Sequence, residues 1–144
     1  MEIKPYVRKV NFYETDQMAI VHHSNYIRWF EEARTYYLDR IGYSYARVLA
    51  AGIDMAVIDA YMMYHSMVRY GESVHIYVEI TELTVARMRL DYRVVDAETG
   101  VLRTEGYTGH CFYDGQKQVP VSLKKALPEL YELYESIKVS RKES

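Results

Sequence analysis

Between residues 12 and 34 the chain gathers side chains suited to acid–base or nucleophilic chemistry. Asp16 comes shortly before the pair His22-His23, and Ser24, Asn25 and Tyr26 follow where an apolar-periodic run begins. A carboxylate held beside a carbonyl can attack it or take a proton from a water that does. The start of a helix supplies the complementary half of such chemistry. Its first N–H groups lack intrahelical partners and the helix dipole is positive there, so an oxygen gaining negative charge is stabilised. Taken alone, an aspartate before a helix is a cap or turn residue. Asp16 with two histidines also has metal-binding types, but adjacent histidines point apart in most backbones and no further ligand spacing supports zinc. Cys111 is the sole cysteine and reads as strand packing rather than as a nucleophile. The sequence has no G-x-S-x-G elbow, phosphate loop or dinucleotide glycine pattern.

Several elements must position these groups. Residues 6–12 read as a short strand and Tyr13 to His23 as a polar loop. A helix follows, with Tyr26, Phe30, Ala33, Tyr37 and Ile41 on one apolar stripe and Arg28, Glu31, Glu32, Thr35 and Asp39 largely opposite. Ser24 or Asn25 is expected to cap it and Gly42 to end it. A short helix is expected from Ser44 to Ala51, closed by Gly52. The period then changes from helical to alternating. Residues 53–69 read as one long, bent strand. In 73–82, Val74, Ile76, Val78 and Ile80 alternate with polar residues; in 86–96, Met88, Leu90, Tyr92 and Val94 do the same. Glu98-Thr99-Gly100 reads as a turn, 101–113 as a strand and Asp114-Gly115 as another turn. Pro128 suits the first turn of a last helix with Leu130, Leu133, Tyr134 and Ile137 as its stripe. The order predicts an α+β layer fold, one long helix against a mostly antiparallel sheet.

Composition bounds the function. The 144 residues suit one domain, read as residues 1–144, and the net charge of −2 argues against holding nucleic acid by bulk charge. One cysteine leaves no intrachain disulfide, no signal core opens the chain, and no run suits a membrane helix; a cytoplasmic protein is the expectation. Sixteen tyrosines suit half-wet sheet faces and subunit interfaces.

The stretch from Phe12 to Tyr26, running into Phe30-Glu31-Glu32-Ala33-Arg34, resembles the signature of the 4-hydroxybenzoyl-CoA thioesterase and YbgC-like branch of the hotdog superfamily. That signature reads roughly D-T-D-x-x-G-x-V-Y-H-x-x-Y followed by F-E-x-A-R. The chain keeps Thr15-Asp16, Val21, His23, Asn25-Tyr26 and the Phe30–Arg34 run. Arg69-Tyr70-Gly71-Glu72, Thr104–Thr108 and Val119-Pro120 extend the resemblance over nearly the whole chain, less specifically. Ala19 departs from the usual glycine, His22 from the usual aromatic, and Phe12 from a tyrosine that borders the site in some members.

The resemblance implies a hotdog fold, a long central helix wrapped by an antiparallel five- to six-stranded sheet, with the site between two copies in a homodimer or a tetramer of dimers. It implies acyl-CoA thioester hydrolysis with Asp16 as general base or nucleophile, His23 in the site and its backbone N–H as oxyanion donor. No cofactor is expected beyond the coenzyme A of the substrate. His22, Asn25 and Tyr26 are expected near the substrate, and Arg87 and Arg89, on one strand face with Arg93, could meet coenzyme A phosphates. The rival readings are a thioesterase acting on acyl carrier protein, a lyase or dehydratase, and a silent acyl-CoA binding protein. The lyase reading lacks the D-x-N-P-x-H pattern. The silent binder has no need of a carboxylate at the reacting carbonyl.

Overall fold

The computed structural model describes residues 2–139; Met1 and residues 140–144 lie outside the described residues. The elements are β1 (Tyr6–Lys9), a 3₁₀ turn (Phe12–Glu14), α1 (Ser24–Arg40), α2 (Tyr45–Ala50), β2 (Ile53–Tyr64), β3 (Ser73–Leu83), β4 (Arg87–Asp96), β5 (Leu102–Asp114), β6 (Val119–Pro120), α3 (Leu123–Ala126) and α4 (Pro128–Ile137). The strands form one antiparallel sheet in the order β1-β3-β4-β5-β2, with β6 on β5. The α+β expectation of a long helix against a five- to six-stranded antiparallel sheet is met.

The alternations expected in β3 and β4 are seen: Val74, Ile76, Ile80, Met88, Leu90, Tyr92 and Val94 point inward and are buried. They pack against Tyr26, Trp29, Phe30, Ala33 and Tyr37 of α1, where Phe30 stacks flat on Tyr92 at 4.1 Å. Gly106 of β5 permits this closeness, because a Cβ there would lie 2.1 Å from the Tyr61 carbonyl and 3.1 Å from the Phe30 ring. Gly42 follows α1 with φ +104 and Gly52 follows α2 with φ +80, the left-handed conformation that ends helices.

Two strand boundaries differ from expectation. β1 stops at Lys9, because Asn11 turns the chain: its N–H donates to Glu14 Oε1 at 2.8 Å and its carbonyl accepts the Glu14 N–H at 2.9 Å. β2 bends at a bulge between Val57 and Asp59 and stops at Tyr64, so residues 65–69 are not part of it.

Glu14 is 2% exposed, and its carboxylate collects donors from three elements. Arg8 of β1 approaches both its oxygens, at 2.9 and 2.8 Å, and Trp29 of α1 donates its indole N–H at 2.7 Å. Arg8 also reaches Glu32 of α1 at 2.7 Å. The buried charge is therefore paired and fully hydrogen-bonded, as burial demands.

A second buried polar chain crosses from α1 to the far side of the sheet. Arg34 donates to the Tyr92 hydroxyl at 3.2 Å. Tyr92 and Thr108 hydroxyls are 2.7 Å apart, as are Thr108 Oγ1 and His110 Nε2, while His110 Nδ1 lies 3.1 Å from the Met55 carbonyl. A carbonyl only accepts, so Nδ1 carries the imidazole proton and Nε2 accepts from Thr108, which accepts from Tyr92 in turn. Every hydrogen then points one way and the imidazole is neutral. Burial, reinforced by the Arg34 charge, pulls the His110 pKa down to about 4, against the opposing pull of the Met55 carbonyl and of the Asp59 and Asp54 charges.

Two predictions arise from these buried groups. Glu14→Gln keeps the shape but leaves Arg8 short of a charge; unfolding in urea should show a loss of about 2–3 kcal/mol. A loss below about 0.5 kcal/mol would mean the node does not hold the fold. For His110, the unfolded chain binds the extra proton between its ordinary value of 6.5 and the folded value of about 4. Its contribution is complete above pH 6.5 and falls away as pH drops toward 4, by about 3 kcal/mol at most. His110→Gln keeps a donor and an acceptor without titrating. Its stability should fall less steeply over that range than the parent's, and parallel curves would refute the assignment.

Candidate active site

The loop from Glu14 to His22 is a narrow antiparallel ladder. His22 N–H donates to the Glu14 carbonyl at 2.9 Å, Thr15 bridges Val21, and Asp16 N–H donates to the Ile20 carbonyl at 2.9 Å. The turn at its tip needs one left-handed residue, and Ala19 supplies it with φ +60. This accounts for the glycine that related signatures carry there: alanine adopts the conformation at a cost of about 1 kcal/mol, and the loop keeps its shape. Asp16 sits on this tip, exposed, with Oδ1 accepting the Met18 N–H at 2.8 Å. Its Oδ2 has no partner among the described residues.

Two supports hold the ladder from behind. Asn25 is buried and its carboxamide donates to the carbonyls of Glu14 at 2.9 Å and His22 at 3.3 Å, latching both ladder strands to α1. On the other side, Val21 N–H donates to the Val68 carbonyl, Tyr70 N–H to the Ala19 carbonyl, and Ile20 bridges Arg69. That segment is itself clamped by Arg103 of β5, which meets Glu72 at 3.2 Å, Asp96 at 2.8 Å and the Met67 carbonyl.

The start of α1 differs from expectation. Ser24 and Asn25 lie inside the helix and do not cap it; His23 is the residue before it, with helical φ −57 and ψ −27 and no side-chain cap. The capping is done by His22, whose Nδ1 accepts the Ser24 N–H at 3.2 Å and lies 2.8 Å from Ser24 Oγ. Asn25 N–H donates to the His22 carbonyl and Tyr26 N–H to the His23 carbonyl. Among the described residues no acceptor faces the His23 N–H, so one donor at the positive end of α1 stays free. The two histidine rings do not point apart; their centroids are 4.2 Å apart. The helical conformation of His23 turns successive side chains by about 100° instead of 180°, which brings them to one side.

The expected site residues thus divide. Asp16, His22 and His23 are exposed around one loop and one helix start. Tyr26 is 2% exposed, with its ring against Trp29 and Tyr64 and its hydroxyl pKa raised by burial. With Asn25 it supports the site from within instead of presenting a surface to a substrate. Arg87 and Arg89 lie on the outer face of the sheet, lining a cleft of about 230 Å³ with Ile58 and Asp59 of β2. Asp16 and His23 do not line that cleft. Arg89 is already held by Asp91 at 2.8 Å, with its guanidinium over the Tyr107 ring at 3.8 Å.

Exposed apolar side chains ring the loop. Phe12 and Met18 are each 73% exposed, Phe12 meets Tyr70 edge-on at 5.5 Å, and Tyr64 and Met67 are also open. Glu14 and Arg8, on which the site rests, were missed in the sequence reading. The spacing Asn11-x-x-Glu14 is half of a capping-box pattern and could have marked Glu14. Arg8 left no local signal.

Known proteins of similar sequence and fold identify the family of the chain. Over 92% of the chain the fold matches a DHNA-CoA thioesterase of Staphylococcus aureus, with 88% of that chain covered, a TM-score of 0.87 and 29% identity. A hypothetical protein of Thermus thermophilus matches over 94% of this chain and 99% of its own, with a TM-score of 0.86 and 31% identity. The acyl-CoA thioester hydrolase YbgC of Escherichia coli O6:H1 is 26% identical over 119 residues, 83% of this chain and 88% of that one. The profile of the Thioesterase-like superfamily spans residues 10–131, which include the Asp16 loop, the whole of α1 and the sheet from β2 to β6; the chain belongs to that superfamily.

Proposed function

We propose that the protein hydrolyses acyl-CoA thioesters to the free acid and coenzyme A. The observation that carries this reading is the pairing of a presented carboxylate with a vacant donor. Asp16 projects from the loop tip with one oxygen free, and the neighbouring start of α1 offers the unpaired His23 N–H. Thioester hydrolysis needs both: a group that delivers the nucleophile to the carbonyl carbon, and a donor for the oxygen as it becomes negative. One such donor is worth roughly 3–4 kcal/mol in the transition state. Asp16 either deprotonates the attacking water or attacks first, forming a mixed anhydride that water then opens. The names of the E. coli and S. aureus relatives support an acyl-CoA substrate.

The site is read as lying between two copies joined along β2. That strand pairs only with β5 among the described residues, and Val57, Ile58, Tyr61, Met63 and Tyr64 along it are exposed. A long apolar edge of this kind calls for a partner strand. Such a pairing would bring the partner's strand beside the open ring of Phe12, Met18, Tyr64 and Met67. It would also place the cleft holding Arg87 next to the shared edge, within reach of coenzyme A phosphates. Among the described residues no helix is long and apolar enough to cross a membrane.

Release of free thiol from short, medium, long and aromatic acyl-CoAs tests the chemistry. Asp16→Ala should lower kcat/KM by about 10²–10⁴-fold with the melting temperature unchanged. Equal turnover by both proteins would refute the site. No turnover by wild type would shift the reading to carrier-protein thioesters or a silent binder. Light scattering should give at least twice the 17.0 kDa chain mass, and a stable 17.0 kDa species would refute assembly along β2.

A further inference from the structure

α1 has two unlike flanks. On one, Trp29 and Glu32 meet Glu14 and Arg8, and Tyr36 meets Tyr6 at 5.3 Å, so this side is fastened to β1. The sheet order places β1 at one edge and β2 at the other, so the opposite flank of α1 faces the β5–β2 side. That flank carries His23, Ile27 and Arg34, separated by steps of four and seven residues that the helical period places on one line. Ile27 is 38% exposed. α1 packs on β1 and β3, on Tyr92 of β4 through Phe30 and on Tyr64 at the end of β2 through Tyr26, while Ile58 and Ala60 farther along β2 stay exposed.

Arg34 is half-buried at the end of this line. One of its five N–H donors reaches the Tyr92 hydroxyl at 3.2 Å. Among the described residues no carboxylate lies within ion-pair distance of its guanidinium. Arg8, Arg89 and Arg103, half-buried like Arg34, all have one. Glu31, one turn earlier, is exposed, and Asp54 is engaged by the Tyr45 hydroxyl at 3.0 Å. The Arg34 charge is felt inward, where it helps keep His110 neutral. A planar fork with spare donors and no carboxylate suits bidentate binding of one.

We infer that Arg34 is the specificity-determining residue of the acyl subsite and selects acyl groups bearing a carboxylate at the end remote from the thioester. The inference rests on the reading above that the thioester carbonyl sits at His23. From His23 to Arg34 the helix rises about 16 Å, and a helical side chain leans back toward the N-terminus. An extended acyl chain of roughly 6 to 12 carbons bridges that span, with its middle passing Ile27.

Non-hydrolysable thioether analogues of coenzyme A test this without requiring turnover. Calorimetry would compare ω-carboxyalkyl and plain alkyl thioethers of equal length against wild type, Arg34→Met and Arg34→Lys. Wild type should bind the carboxylated member at least 10-fold tighter at the best length. Arg34→Met should reverse the order while keeping or improving the alkyl affinity, and Arg34→Lys should retain part of the preference. A wild type that prefers the alkyl member at every length overturns the inference, as does an Arg34→Met variant that keeps the preference. The alkyl ligand doubles as the folding control. Hydrolysis of the matching thioesters, measured alongside, reports separately on the proposed function: turnover without the preference sinks only the role of Arg34.

Discussion

The buried carboxylate of Glu14 is the constraint on which the active-site half of the molecule depends. A charge at this depth is tolerated only with its lone pairs filled, and the donors that fill them come from β1, the Asn11 turn and α1. Meeting that requirement fixes where β1 ends, how the chain turns into the loop and at what rotation α1 lies on the sheet. The Glu14 backbone carbonyl then accepts from both His22 and Asn25, so the same residue begins the ladder that carries Asp16. Asp16 and the free His23 N–H are thus presented by a rigid frame, although both are exposed. A pair of groups presented on an exposed loop keeps its geometry only when the backbone beneath is this fully bonded.

The one-way chain Arg34–Tyr92–Thr108–His110–Met55 does for the other flank of α1 what Glu14 does for the first. It runs through a low-dielectric interior, where satisfied hydrogen bonds gain strength and unsatisfied ones are costly. Its directionality leaves the imidazole neutral and gives Arg34 a single anchor. The helix is therefore fastened by ion pairs on the β1 side and, on the other, by one arginine bond into a neutral relay. The asymmetry leaves a cationic group with spare donors on the flank along which the proposed acyl group would run.

The edge strand links fold and site. β2 is long, bulged and, Asp59 apart, apolar where it is exposed, and its inner face lies beside the open flank of α1. Exposed apolar side chains at its end continue into the ring around the Asp16 loop. A surface of this extent is costly in water, and the same contact that covers it would wall the acyl strip.

What the sequence determined by itself is local. The apolar period of three to four marked α1, strict alternation marked β3 and β4, and Gly42 and Gly52 marked helix ends, because each signal is written by neighbours within a few residues. The Thr15-Asp16 to His23 spacing likewise marked the reactive segment through its family signature. The reach of strands was less legible. His65 and Ser66 only briefly interrupt the apolar run after Tyr64, but both their N–H groups converge on the Arg103 carbonyl and Val68 then bonds to the Asp16 loop, which takes residues 65–69 out of β2. Tyr26 looked like a site residue and is core, since a motif records that a residue is needed and not whether it faces inward. Tertiary structure alone decided the partners of Glu14, the route from Arg34 to His110 and the position of β2 at the sheet edge. Those depend on which distant segments meet: Glu14 and Trp29 across a loop, Arg34 and Tyr92 across 58 residues of chain. Local periodicity carries no information about such meetings, because it is the closing of the whole sheet that brings them together.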